Sequence, residues 1–250
     1  MIVAGLLGLT AASSLLLGAV LAFVAPFSIR AVGLIMAFGA GVLMSAVAYE
    51  LVADALGDEP WLPIFVIAFS SGAAVFYVGS LLLDRITAAG ADRRSARRQA
   101  GQPSTAEAQG ASIMLGAVLD GIPESVVLGV SLIGGGAFSL PMLLAVFISN
   151  VPEALAASAD LERGGLPRGR ILALWSVVAL ASAAAAALGY GLLSRTPEPW
   201  VASVQMFAGG AIIAMLAESM VPEAYEKAGR AVGLATALGF ATAAVLSSAS

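Results

Sequence analysis

Val118-Leu119-Asp120-Gly121-Ile122-Pro123-Glu124-Ser125 is answered, 29 residues later, by Phe147-Ile148-Ser149-Asn150-Val151-Pro152-Glu153-Ala154. Each stretch sets a Pro-Glu pair inside an apolar segment long enough to cross a hydrocarbon core about 30 Å thick. Apolar segments of that length recur along the whole chain, at 2 to 25, 31 to 55, 61 to 84, 111 to 134, 138 to 160, 170 to 193, 199 to 221 and 230 to 248. The expected fold class is therefore an all-α membrane protein of eight transmembrane helices, in a single domain covering residues 1 to 250. The first segment, Ile2 to Ala25, lacks a basic leader and is too long for the apolar core of a signal peptide, so it is read as a retained span.

Composition agrees. Of the 250 residues, 60% are hydrophobic and 11% are charged, against about 25% charged in a typical soluble domain. Sixteen acids outnumber twelve bases, which leaves no basic face for nucleic acid. Cysteine and histidine are absent, which excludes disulfides, thiolate and imidazole ligands, and Ser-His or Cys-His catalytic pairs. Any chemistry must use oxygen. An enzyme is not expected, because only an aspartyl-type dyad of Asp120 and Glu124 would remain to build one, and no cofactor is implied.

The linkers are short except for residues 85 to 110. Asp92-Arg93-Arg94-Ser95-Ala96-Arg97-Arg98 followed by Gln, Pro, Ser and Thr reads there as a solvated, disordered connection. The basic residues also give an orientation, since Lys and Arg accumulate in short cytoplasmic loops. Eleven of the twelve lie after the first, third, fifth and seventh segments, and only Arg195 falls elsewhere. The 85 to 110 connection is thus expected to be cytoplasmic and both termini extracytoplasmic, in a bacterial-style inner or plasma membrane.

A second internal echo joins segments two and seven. Phe38-Gly39-Ala40-Gly41 through Glu50-Leu51-Val52-Ala53-Asp54-Ala55 aligns without gaps, 169 residues later, with Phe207-Ala208-Gly209-Gly210 through Ser219-Met220-Val221-Pro222-Glu223-Ala224. These segments run oppositely across the membrane. The chain then reads as three helices (2 to 84), a central pair (111 to 160) and three inverted helices (170 to 248), a 3+2+3 inverted repeat of the kind found in transporters.

An ionised carboxylate at the bilayer centre costs at least about 2.5–3.5 kcal/mol, so buried acids need a partner or a function. Asp120 and Glu124, four apart, share a helix face, as do Asn150 and Glu153, three apart. Pro123 and Pro152 release the carbonyls of Leu119 and Ile148, adding neutral acceptors. Neither helix contains Lys or Arg, so the natural counter-ion is a cation, a metal or protons. The bland alternative is that Pro-Glu pairs only kink or cap helices. It accounts for one pair more easily than for two in the same register. Glu50, Asp54, Glu218 and Glu223 near segment ends are candidates for a pathway, though interfacial charge explains them equally well. Gly39-Ala40-Gly41 and the alanines from Ala183 to Ala187 suit close helix packing.

Asp120-Gly-Ile-Pro-Glu124 and Ser149-Asn-Val-Pro-Glu153 resemble the signature of the ZIP (Zrt/Irt-like) metal transporters. The similarity extends over nearly the whole chain, through Ala37-Phe38-Gly39-Ala40-Gly41-Val42 and Val221-Pro222-Glu223-Ala224. It implies transport of a divalent metal of the zinc, iron or manganese class, extracytoplasmic termini, two adjacent metal sites between the fourth and fifth helices, and a homodimer. The departures are specific. Asp120 and Ser149 stand where the family commonly has His, Gly121 where it has Asn or Asp, and Ser182 with neighbouring alanines where it has a sixth-helix Glu. The expectation is one oxygen-rich site of Asp120, Glu124 and Glu153 with Asn150, Ser149 and water, suited to Mn²⁺, Mg²⁺ or Fe²⁺ and still able to hold Zn²⁺. The alternative function is a metal-binding or sensing membrane protein of the same fold that has lost productive transport.

Overall fold

The computed structural model describes residues 1–25, 27–56, 62–99, 106–133 and 139–248, with the backbone alone at 54, 55, 87–99 and 106–112. Among these residues the regular structure is entirely helical, and eight helices are long and apolar enough to cross a membrane. They are α1 (Ile2–Val24), α2 (Ile29–Val52), α3 (Leu62–Gln99), α4 (Ala106–Val130), α5 (Leu140–Arg163), α6 (Arg168–Leu193), α7 (Glu198–Ala228) and α8 (Ala231–Ser248). The chain is a multi-pass membrane protein.

Local chemistry sets the helix starts. Ser28 caps α2 by accepting from the Ala31 amide at 3.1 Å, and Ser139 caps α5 by accepting from Met142 at 3.1 Å with Pro141 in the first turn. Pro167 and Pro197 precede α6 and α7, and Gly229, at φ 64°, lets the chain turn between α7 and α8. The surface is what a lipid solvent requires: Val66, Ile67, Leu82, Leu180, Leu192, Leu234 and Val245 are all exposed.

One expectation needs correction. The stretch 85 to 110 is mostly helix in its backbone, because α3 runs on to Gln99 and α4 begins at Ala106. Ala, Arg and Gln are good helix formers, and neither Gly101 nor Pro103 interrupts the stretch before residue 100. Charge marked this segment as solvated but did not make it irregular. Residues 100–105, and the side chains of Arg93, Arg94, Arg97 and Arg98, lie outside what is described.

Packing follows the repeat. The closest pairs are α2 with α8, α3 with α7, α1 with α5, α4 with α6, and α1 with α6, while α2 meets α5 and α7 meets α4. Exchanging α1, α2 and α3 for α6, α7 and α8, and α4 for α5, turns each of these pairs into another in the set. The match reaches individual atoms. Gly41 of α2 lies against the Thr236 carbonyl of α8, and Gly210 of α7, its equivalent 169 residues on, lies against the Phe69 carbonyl of α3. Gly239 meets the Phe38 carbonyl and Gly72 meets that of Phe207, another pair in the same register. Small residues at these crossings allow backbone-to-backbone contact, which in lipid takes the place of hydrophobic driving force.

Both halves also share an irregularity. α2 widens to π-type hydrogen bonding over Val47–Val52, where the Ala53 amide reaches back five residues to Ala48. α7 does the same over Leu216–Met220, with Val221 bonded to Leu216. The two wide turns begin 169 residues apart, in the register of the repeat. Such turns re-aim the side chains that follow them and cluster at functional sites.

Candidate metal site

α4 and α5 each turn one stripe of side chains inward. On α5 it is Val146, Asn150, Glu153, Ala157 and Asp160, and on α4 it is Ile113, Ala117, Asp120 and Glu124, at alternating spacings of three and four. Two spaces lie along these stripes. The deeper cavity, about 10 Å³, has room for about one water-sized body. Asp120, Gly121, Glu124, Ser125, Asn150, Glu153 and Ser182 are its polar side, and Ala11, Ala12 and Leu15 of α1 close it. The larger, about 250 Å³, begins at the shared wall of Ala117, Asp120 and Glu153 and passes Ser219 to Asp160 and Glu223. Its outer acids sit near the carboxyl ends of α5 and α7, just before Arg163, Arg168, Lys227 and Arg230. The larger cavity therefore faces the basic side of the protein.

Asp120, Glu124 and Glu153 stand close enough to act electrostatically on one another, and Glu223 acts on Asp120 and Glu153. Glu124 is 3% exposed and Asn150 8%. Among the described residues no Lys or Arg pairs with the three deep acids, and no side chain donates a hydrogen bond to them. Nor do three acids there converge on one point at ligand distance. The arrangement is a set of like charges facing a common space, and mutual repulsion spreads such a set until a cation screens it.

The sequence-derived residues divide. Asp120, Glu124, Asn150 and Glu153 come together at the deep cavity. Ser149 does not: it falls off the α5 stripe, donates its hydroxyl to the Val146 carbonyl at 3.0 Å, and its backbone packs on Gly39. The Ile148 carbonyl released by Pro152 likewise lies beside Gly39 rather than in the cavity lining. Glu223 lines the larger cavity. Glu50 accepts from Ser139 at 2.6 Å and Glu218 from Ser80 at 2.8 Å, and neither lines a cavity. The Asp54 side chain lies outside the described residues.

The chain matches no family model, and no curated protein matches it in sequence. Function must therefore be argued from the site. Sequence reasoning missed three contributors, Ser125, Ser182 and Asp160. Ser125 follows Glu124 directly, and Asp160 continues the three-four spacing from Glu153, so a stripe drawn one turn further would have found it. Ser182 comes from α6 and stands against Gly121, where a Cβ would lie 3.5 Å from its hydroxyl. Only the tertiary fold brings those two together.

Proposed function

We propose that the protein transports a divalent metal cation across the membrane by alternating access, with Asp120, Glu124 and Glu153 as charged ligands and Asn150 as a neutral one. The observation that carries this reading is the bare acid cluster around a one-water cavity, buried where α4 and α5 face each other and continuous with a larger cavity toward one side. Unpaired carboxylates at that depth are costly, and a cation passing through is the partner that makes them useful. The packing supports it too, since an inverted repeat gives two equivalent ways of opening around a fixed central site. With Arg-rich loops on the cytoplasmic side, the larger cavity is a path to the cytoplasm and both termini are extracytoplasmic.

The donor set is all oxygen. Hard ligands of this kind suit Mn²⁺, Mg²⁺ and Fe²⁺ and accept Zn²⁺. Gly121 and Ser182 occupy the side of the cavity where the ZIP resemblance would call for further ligands, which favours one metal site over two. The same two residues favour the second reading, a sensor of the same fold that binds but does not translocate.

Uptake of Mn²⁺ and Zn²⁺ into proteoliposomes separates the two. Transport predicts saturable flux, lost in Glu124→Ala and Glu153→Ala with Gln only slightly better. Binding without flux in the wild-type chain would leave the sensor.

A further inference from the structure

The acids of the two cavities differ in company. The deep ones, Asp120, Glu124 and Glu153, have no basic partner among the described residues, whereas those at the outer end are paired. Asp160 binds Arg163 at 2.6 Å, and Glu223 is in contact with Lys227 one turn further along α7. Lys227 is the only lysine in the chain, beside eleven arginines. Its side chain is 20% exposed, less than the 44% of the Glu223 it serves. The burial has a cause. Gly33 of α2 leaves no room for a side chain where it meets α7: a Cβ there would lie 2.7 Å from Lys227 Cβ and 3.0 Å from the Ala224 carbonyl. The lysine stem is thus held between α2 and α7 with its ammonium directed to Glu223.

We infer that Lys227 is a built-in counter-cation for Glu223, which keeps this mouth carboxylate from acting as an extra metal ligand and so sets how readily the cation leaves. This rests on the transport reading above. A divalent ion leaving the deep acids passes Glu223, which lines the same cavity as Asp120 and Glu153 and acts on both. Were Glu223 bare, four carboxylates would hold the ion. With Lys227 in place, the mouth is close to neutral and the attraction falls off outward from the site. Lysine suits this better than arginine, because a compact ammonium on a flexible stem gives up a carboxylate more readily than a bidentate guanidinium does.

The test uses the full chain in detergent, with Mn²⁺ titrated by its EPR signal, and in proteoliposomes for flux. Lys227→Gln should bind Mn²⁺ about tenfold more tightly, about 1.4 kcal/mol, with maximal flux reduced by a similar factor. Lys227→Arg, which keeps the charge, should return the Kd to within about twofold of wild type. The double variant Glu223→Gln/Lys227→Gln should also return toward wild type, because it removes both charges together. A wild-type Kd in Lys227→Gln overturns the inference while leaving transport standing. So does a double variant as tight as Lys227→Gln, since the effect would then not pass through Glu223. If the wild-type chain binds neither Mn²⁺ nor Zn²⁺, the transport reading fails and takes this inference with it.

Discussion

Replacing Gly41 or Gly210 by alanine should destabilise the protein to a similar degree, because the two glycines occupy equivalent crossings. A methyl at Gly41 would lie 2.8 Å from the Phe240 amide nitrogen and 2.8 Å from the Thr236 carbonyl carbon; one at Gly210 would lie 2.8 Å from the Phe69 carbonyl carbon. Ordinary contact begins near 3.4 Å, and the obstructing atoms are backbone, so α2 must part from α8, or α7 from α3, by roughly 0.6 Å or more. Overpacking of this kind costs about 1–3 kcal/mol, and the better helix propensity of alanine returns up to about 1 kcal/mol. The net loss of about 1–2 kcal/mol should lower Tm by roughly 2–8 °C, read by circular dichroism at 222 nm in detergent. The double variant should show the sum, because the crossings share no partner. Gly233→Ala is the control: nothing lies within 4 Å of a Cβ there, so Tm should hold or rise. Both crossing variants melting with wild type would refute the close packing, and a large effect at one with none at the other would refute its two-fold equivalence.

Three further outcomes are expected. Trp175→Phe removes the donor of a buried 2.8 Å hydrogen bond to Ser158 and should cost about 1–3 kcal/mol, visible as a lower Tm without a change in metal preference. Asp120→His should raise the zinc-to-manganese flux ratio, since imidazole is softer than carboxylate, whereas Asp120→Ala should weaken all metals together; an unchanged ratio in both would mean that Asp120 does not touch the ion. A cysteine at Ser104, the only thiol in the chain, should be protected from an impermeant reagent in intact cells and labelled after lysis, and labelling in intact cells would reverse the orientation.

The eight helices were legible because hydrophobic length is a one-dimensional property, and Ser28, Ser139, Pro167 and Pro197 mark starts that the sequence displays openly. The two-fold packing was legible through Gly41 and Gly210, which keep the same register. The helical course of residues 85 to 99 was not, because high charge reports solvation and says little about backbone geometry. The wide turns at Val47–Val52 and Leu216–Met220 were also hidden, since they arise where neighbouring helices press on α2 and α7. At the site, helical spacing placed Asp120, Glu124, Asn150 and Glu153 together. It could not place Ser182 against Gly121, nor show that Ser149 turns toward Gly39, because those depend on how α6 and α2 are rotated.

Anomalous scattering from crystals soaked in Mn²⁺ or Zn²⁺ tests the central claim most directly. The expected result is one peak between α4 and α5, at about 2.0–2.2 Å from oxygens of Asp120, Glu124 and Glu153, with those side chains drawn inward. A peak confined to surface acids such as Glu50 or Glu218, or no peak in a protein that still carries metal across a bilayer, would contradict it.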